Sequence, residues 1–130
     1  MTVGKVRPRL VSARIGDAAE LEIAGRRADG TLRKPRIVWA VRVDDRLYVR
    51  SVNGPDAAWY RGVRTRMQGH IQAGGVDRDV ALVDADHTLD DALNDTVDDA
   101  YRTKYRHSPS AVDHITRPTA RSTTLELLPG

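Results

Sequence analysis

Strict alternation of apolar and polar positions dominates the first half of the chain. Residues 20–24 read ELEIA, with Leu21 and Ile23 on one face, as a half-buried strand requires. The clearest strand is RIVWAVRV, 36–43. Ile37, Trp39, Val41 and Val43 share one face, while Val38 and Ala40 keep the other apolar, which predicts a central strand. Asp44-Asp45 supplies a tight turn, because Asp tolerates positive φ better than most residues. RLYVRSV, 46–52, then returns with Leu47, Val49 and Ser51 on one side and Tyr48, Arg50 and Val52 on the other. A charge at position 50, in mid-strand, costs several kcal/mol if buried and unpaired. Arg50 therefore either faces solvent or meets a carboxylate or a ligand phosphate.

The period changes after the Asn53-Gly54-Pro55 loop. With Asp56 as N-cap, Trp59, Val63 and Met67 recur at helical spacing over 57–68, and Gly69 is the stop. HIQAGGVDRDVALVD then reads as a second hairpin around Gly74-Gly75. From Thr88 one long helix carries Leu89, Leu93, Val97, Tyr101 and Tyr105 in a stripe, with Ala92 and Ala100 filling it. Asp90 and Asp91 in its first turn and Arg102, Lys104 and Arg106 in its last suit the helix dipole, and Pro109 ends it. A last strand follows near 122–128. Residues 1–18 form an arm or a short helix. The pattern predicts one mainly β, α+β domain spanning 1–130: six antiparallel strands as a small barrel or sheet, with helices packed outside.

Composition narrows the function. Zero cysteines exclude disulfides, thiolate catalysis and cysteine-bound zinc. No run approaches the ~20 apolar residues of a membrane span, and the N-terminus lacks a secretory apolar core, so the expected location is the cytoplasm. Phe is absent, so two tryptophans and four tyrosines hold all the aromatic surface. The net charge of +3 and pI of 9.6 invite a nucleic-acid reading, but the charge is divided. Basic residues concentrate at 26–36 and 61–66, whereas 84–99 is acidic, which argues against a general polyanion binder. The four histidines have no partners at metal-ligand spacing, and the acidic stretch lacks a calcium loop's glycine and terminal Glu. There is no nucleophile elbow, Walker loop or GxGxxG. Reactivity, if present, would arrive with a bound cofactor.

One constellation remains. Arg26, Arg27, Arg33, Lys34 and Arg36 crowd the loop ahead of the strand that carries Trp39. A turn at 44–45 sets 36–38 opposite 51–53, so the basic loop, Ser51 and the helix opening near Trp59 should converge. Guanidinium forks, free backbone N–H groups and a helix N-terminus suit a phosphate. Against this stands a simpler reading: a solvated basic loop, with Trp39, Trp59, Tyr101 and Tyr105 as core packing.

The stretch LRK…IVWAVRVDDRLYVRSVNGPDAAWYRGV resembles the flavin- and deazaflavin-binding split β-barrel superfamily, in particular its deazaflavin-dependent nitroreductase branch, and is similar to an uncharacterised subfamily of it. The likeness covers 19–73 well, with RSTTLELLP resembling the last strand. It implies a six-stranded split β-barrel with flanking helices that binds a deazaflavin coenzyme or FMN, works as a homodimer and moves hydride to or from a small organic substrate. It further implies that Arg33, Lys34 and Arg36 hold the cofactor phosphate, that Ser51 and Gly54, with Asn53 between them, line the ring pocket, that Trp59 buttresses the phosphate side, and that Tyr101 and Tyr105 approach the substrate; Trp39, beside the basic loop, would cover part of the ring. Two positions depart from the pattern: Arg61-Gly62 replace an asparagine, and Asn53-Gly54 replace a doubled glycine. These departures motivate a second reading, a split barrel that binds a small molecule or catalyses a cofactor-free reaction. A third, weaker reading is a basic face for nucleic acid.

Overall fold

The computed structural model describes residues 12–85 and 91–129. Seven strands form one antiparallel sheet: β1 (Leu21–Gly25), β2 (Arg36–Val38), β3 (Ala40–Val43), β4 (Arg46–Val49), β5 (Gln68–Ala73), β6 (Val76–Asp84) and β7 (Leu125–Pro129). Their order is β2-β1-β5-β6-β7-β4-β3. The two end strands, β2 and β3, are consecutive in the chain, so the sheet curls into a nearly closed barrel. Among the described residues five α-helices flank it: α1 (Ser12–Asp17), α2 (Ala58–Arg64), α3 (Asp91–Lys104), α4 (Pro109–Ile115) and α5 (Pro118–Arg121).

The seventh strand comes from splitting the segment expected to be one strand over 36–43. Arg36–Val38 pairs with β1, setting Leu21 against Val38, while Ala40–Val43 pairs with β4, setting Ala40 against Val49. Trp39 stands between them outside both ladders, and its carbonyl accepts the Tyr101 hydroxyl at 2.7 Å. Alternation alone reads straight through such a change of partner.

Inside the barrel, Leu21, Ile23, Val38, Ala40, Leu47, Val49, Ile71, Val80, Leu82, Leu125 and Leu127 form the main core, closed by Ile15, Tyr60 and Val63 from the helices. Each of its fully buried large aliphatic side chains contributes about 1.5–3 kcal/mol. A second core lies outside β3 and β4, where Val41 and Tyr48 meet Val97, Tyr101, Tyr105, Val112 and Ile115. Both faces of the β3–β4 hairpin are therefore buried, in agreement with its doubly apolar sequence. Asp44 takes φ 55° at the hairpin tip, and Gly74 and Gly75 take 56° and 80° at the next.

Several helix boundaries differ from expectation. α2 stops at Arg64 rather than 68; Met67 turns at φ 53°, and Gly69 lies within β5, close against the Ala24 carbonyl. The N-cap of α2 is Ala57, because Asp56 completes a separate 3-10 turn over Gly54–Asp56. The expected start of α3 at Thr88, with Leu89 and Asp90, lies outside the described residues. α3 stops at Lys104, short of Arg106 and five residues before Pro109, which does not end it but opens α4 at a first-turn position, where its missing N–H costs nothing.

Candidate functional site

A cleft of about 450 Å³ opens where the barrel changes partner at Trp39. Its walls come from four places: Arg36 to Trp39, Val52 and Asn53 beyond β4, Ala57 to Trp59 at the start of α2, and Ala111 and Ile115 of α4. The two tryptophans supply flat aromatic surface. Trp39 is fixed from behind by Tyr105, whose ring is parallel within 1° at a centroid distance of 3.8 Å. Such stacking adds about 0.5–1.5 kcal/mol beyond the area buried. At the mouth, Ile37 and Val52 stay 59% and 43% exposed.

The helix opening reaches this cleft because Gly25 lets α2 approach the barrel. A Cβ on Gly25 would stand 3.1 Å from the Gly62 carbonyl carbon, so β1 and α2 meet backbone to backbone. Gly62, one of the two departures from the superfamily pattern, supplies the backbone that Gly25 meets, while its own missing Cβ faces only the Arg33 side chain. Arg33 lies along the same glycine, its Cδ 3.0 Å from where a Gly62 Cβ would sit.

The basic loop divides its charges. Arg26 donates to the Gly30 carbonyl at 2.8 Å and to Asp79 at 2.7 Å, and Arg27 donates to the Leu32 carbonyl at 2.6 Å. These two hold the turn. Arg33, Lys34 and Arg36 have no ion-pair partner among the described residues, and of the three only Arg36 lines the cleft. Asn53, Trp39 and Trp59 line it as well. Ser51 and Gly54 sit beside the lining and knot the loop: the Ser51 hydroxyl donates to the Gly54 carbonyl at 2.7 Å, and Gly54 takes φ 80°. The Tyr105 hydroxyl donates to the Ala19 carbonyl at 2.9 Å, as Tyr101's does to Trp39. Burial raises the pKa of both phenols, so both remain protonated donors.

Behind the cleft lies a polar cluster that sequence reading did not assemble. Arg50 borders the cleft, but its side chain has no exposed surface. Its five N–H donors reach Thr124 Oγ1 (2.9 Å), Asp98 Oδ1 (2.5 Å), the Ile115 carbonyl (3.2 Å), and the Asn94 carbonyl and Oδ1 (3.1 and 3.0 Å). Asp98 also accepts from Arg121 at 2.6 Å, and Arg121 reaches on to Asp95 at 3.0 Å. Of the three fates open to Arg50, the structure realises the carboxylate. The available signal was Asn94, Val97, Asp98 and Tyr101 on one face of α3, a stripe polar at two of its buried positions.

Among the described residues no group of three His, Asp or Glu side chains could hold a metal ion, and no helix is long and apolar enough to cross a membrane. A family described as uncharacterised proteins conserved in bacteria, DUF2255, matches residues 12–127. No curated protein matches the chain. The solved structure of the conserved hypothetical protein Rv2991 from Mycobacterium tuberculosis is similar over 98% of this chain and 78% of that one, with a TM-score of 0.53 at 11% identity. An F420 reductase structure is similar over 93% and 92%, with a TM-score of 0.47 at 11% identity. At this identity the likeness to Rv2991 is one of fold.

Proposed function

The chain belongs to the DUF2255 family, and from that premise we propose that its cleft binds the ring of a deazaflavin coenzyme or FMN for hydride exchange with a small organic substrate. The observation that carries this reading is the pairing of two tryptophan walls with a cation, Arg36, that has no ion-pair partner among the described residues. The volume lies in the range of small-molecule sites, and the lining suits a flat ring with an anionic tail. Val38, Trp39 and Trp59 would hold the ring, and Arg36 and Asn53 its polar groups. When bound, such a group supplies the hydride chemistry at its own ring. The chain's share is to bind, orient and exclude water, which needs no protein nucleophile. The sequence resemblance over 19–73 supports the same assignment. A second copy of the chain would cover exposed Ile37 and Val52 at the mouth, which favours a homodimer.

A second reading, a small-molecule site without redox chemistry, is favoured by the cleft's single cationic wall residue with free donors and by Ser51 and Gly54 being bonded to each other. Titration of the purified protein with each cofactor, followed by tryptophan fluorescence, separates the two, since both tryptophans line the cleft. Saturable quenching at micromolar concentration supports the first. Failure of both cofactors to bind below millimolar leaves the second.

A further inference from the structure

A second cleft, sharing no lining residue with the first, opens between α1, β3 and the end of α3, with a volume of about 550 Å³. Asp17, Arg42, Asp44, Thr103, Lys104 and Arg106 line it. Lys104 is half-buried there. Its Nζ donates to the Ala40 carbonyl at 2.6 Å and lies 5.1 Å from the centroid of the Tyr105 ring. That ring is clamped by Trp39 and by its own hydroxyl bond to Ala19, so the amine rests on a fixed wall. No carboxylate stands within 4.0 Å of Nζ among the described residues; Asp17 acts on it only from beyond that distance.

A half-buried lysine without a carboxylate partner is disposed toward its neutral, nucleophilic form. Burial brings its pKa down to about 8, against the weak opposing pull of Asp17. The Ala40 carbonyl accepts more strongly from the ammonium than from the neutral amine and so works against burial, but in the neutral form one N–H held there leaves the nitrogen lone pair free for the cleft. Two guanidiniums share the space. Arg42 donates its Nε to the Asp44 carbonyl at 2.7 Å, and Arg106 one N–H to the Thr103 carbonyl at 3.0 Å, so each retains further donors.

We propose that Lys104 is a reactive amine that condenses with a small aldehyde or ketone bearing a carboxylate, the carboxylate being held by Arg42 and Arg106. Nζ forms a bond to the carbonyl carbon. The C=O bond breaks, its oxygen leaves as water with the two amine protons, and an imine remains. Nothing is oxidised or reduced. This site is independent of the reading given to the tryptophan cleft.

The chain has only three lysines, Lys5, Lys34 and Lys104, and exposed Lys34 serves as an internal reference. The full-length protein is incubated with glyoxylate and cyanoborohydride, which fixes any imine as carboxymethyl-lysine, and the peptides are mapped by mass spectrometry. At neutral pH, Lys104 should be labelled about ten-fold or more over Lys34, because far more of its amine is neutral. Its labelling rate should rise through a midpoint near 8. Glycolaldehyde, an aldehyde without charge, should keep the share of that preference that the neutral amine supplies and lose the share that the guanidiniums supply, and Arg106→Gln should lower glyoxylate labelling at an unchanged melting temperature. Equal labelling of Lys34 and Lys104, or an inert Lys104, overturns the proposal. Equal preference for glycolaldehyde overturns the guanidinium part of it.

Discussion

Asp98→Asn isolates the electrostatics of the buried cluster with almost no change in volume. In the native protein the Asp98 carboxylate accepts from two guanidiniums, Arg50 at 2.5 Å and Arg121 at 2.6 Å. The two cations then fare differently. Arg121 is partly exposed and keeps Asp95, so it can turn to water. Arg50 has no exposed surface and would retain only neutral acceptors: Thr124, Asn94 and the Ile115 carbonyl. Stranding a buried charge costs about 3–5 kcal/mol. In a chain of this size 1 kcal/mol moves the melting temperature by about 3–5 °C, so the expected fall is about 10–25 °C. Adding Arg50→Met removes the stranded cation and should recover roughly half of the loss or more, since an apolar substitute for a buried pair is often nearly neutral. The exposed pair Arg117–Asp113 is the control: Asp113→Asn should cost under about 1 kcal/mol. Thermal melts of the three variants beside the native protein decide the matter. If Asp98→Asn melts with Asp113→Asn, or the double variant lies below Asp98→Asn, the stranded-charge argument is wrong.

Three other expectations follow from the geometry. Arg36→Gln should leave the melting temperature nearly unchanged yet weaken a phosphate-bearing ligand about 10- to 100-fold by fluorescence titration, the loss of one charge-assisted bond. His70 is bonded to Asp79 at 2.8 Å and to Asp77, and those bonds raise its pKa above 6.5. Its contribution is therefore complete below 6.5 and lost as pH climbs through the raised folded value, so His70→Gln should flatten that part of a melting-temperature pH profile. Gly25→Ala should cost about 1–3 kcal/mol by forcing backbone apart, whereas Gly62→Ala displaces only the flexible end of Arg33 and should be neutral or stabilising in paired melts.

Alternation and turn chemistry were enough to read the β3–β4 and β5–β6 hairpins, because a buried face fixes register locally. The doubly apolar segment 36–43 was legible as strand, although it forms the two end strands of the sheet, with Ile37 59% exposed, rather than one central strand. Its division at Trp39 was not, since that depends on which strands lie beside it, β1 or β4. Arg50 announced itself as needing a partner, but Asp98 is 48 residues away and sits in a run that reads as solvated acid. The site was legible in part for the same reason. Arg36, Trp39, Asn53 and Trp59 meet at one cleft because the hairpin and the helix opening are local in sequence. Whether Arg33 and Lys34 join them depends on how α2 settles on β1 through Gly25 and Gly62, contacts between residues with no side chain to leave a pattern.

The junction at Trp39 has a mechanical consequence. Everywhere else around the ring, neighbouring strands are stitched by rungs of amide bonds; between Val38 and Ala40 only the covalent thread continues. Widening the wall there breaks no rung; what resists it is the seating of one indole on a phenol ring, a single hydroxyl bond and the burial of Val38 and Ala40 in the core. The ring thus has one seam without amide rungs, where the seating of side chains alone sets its girth.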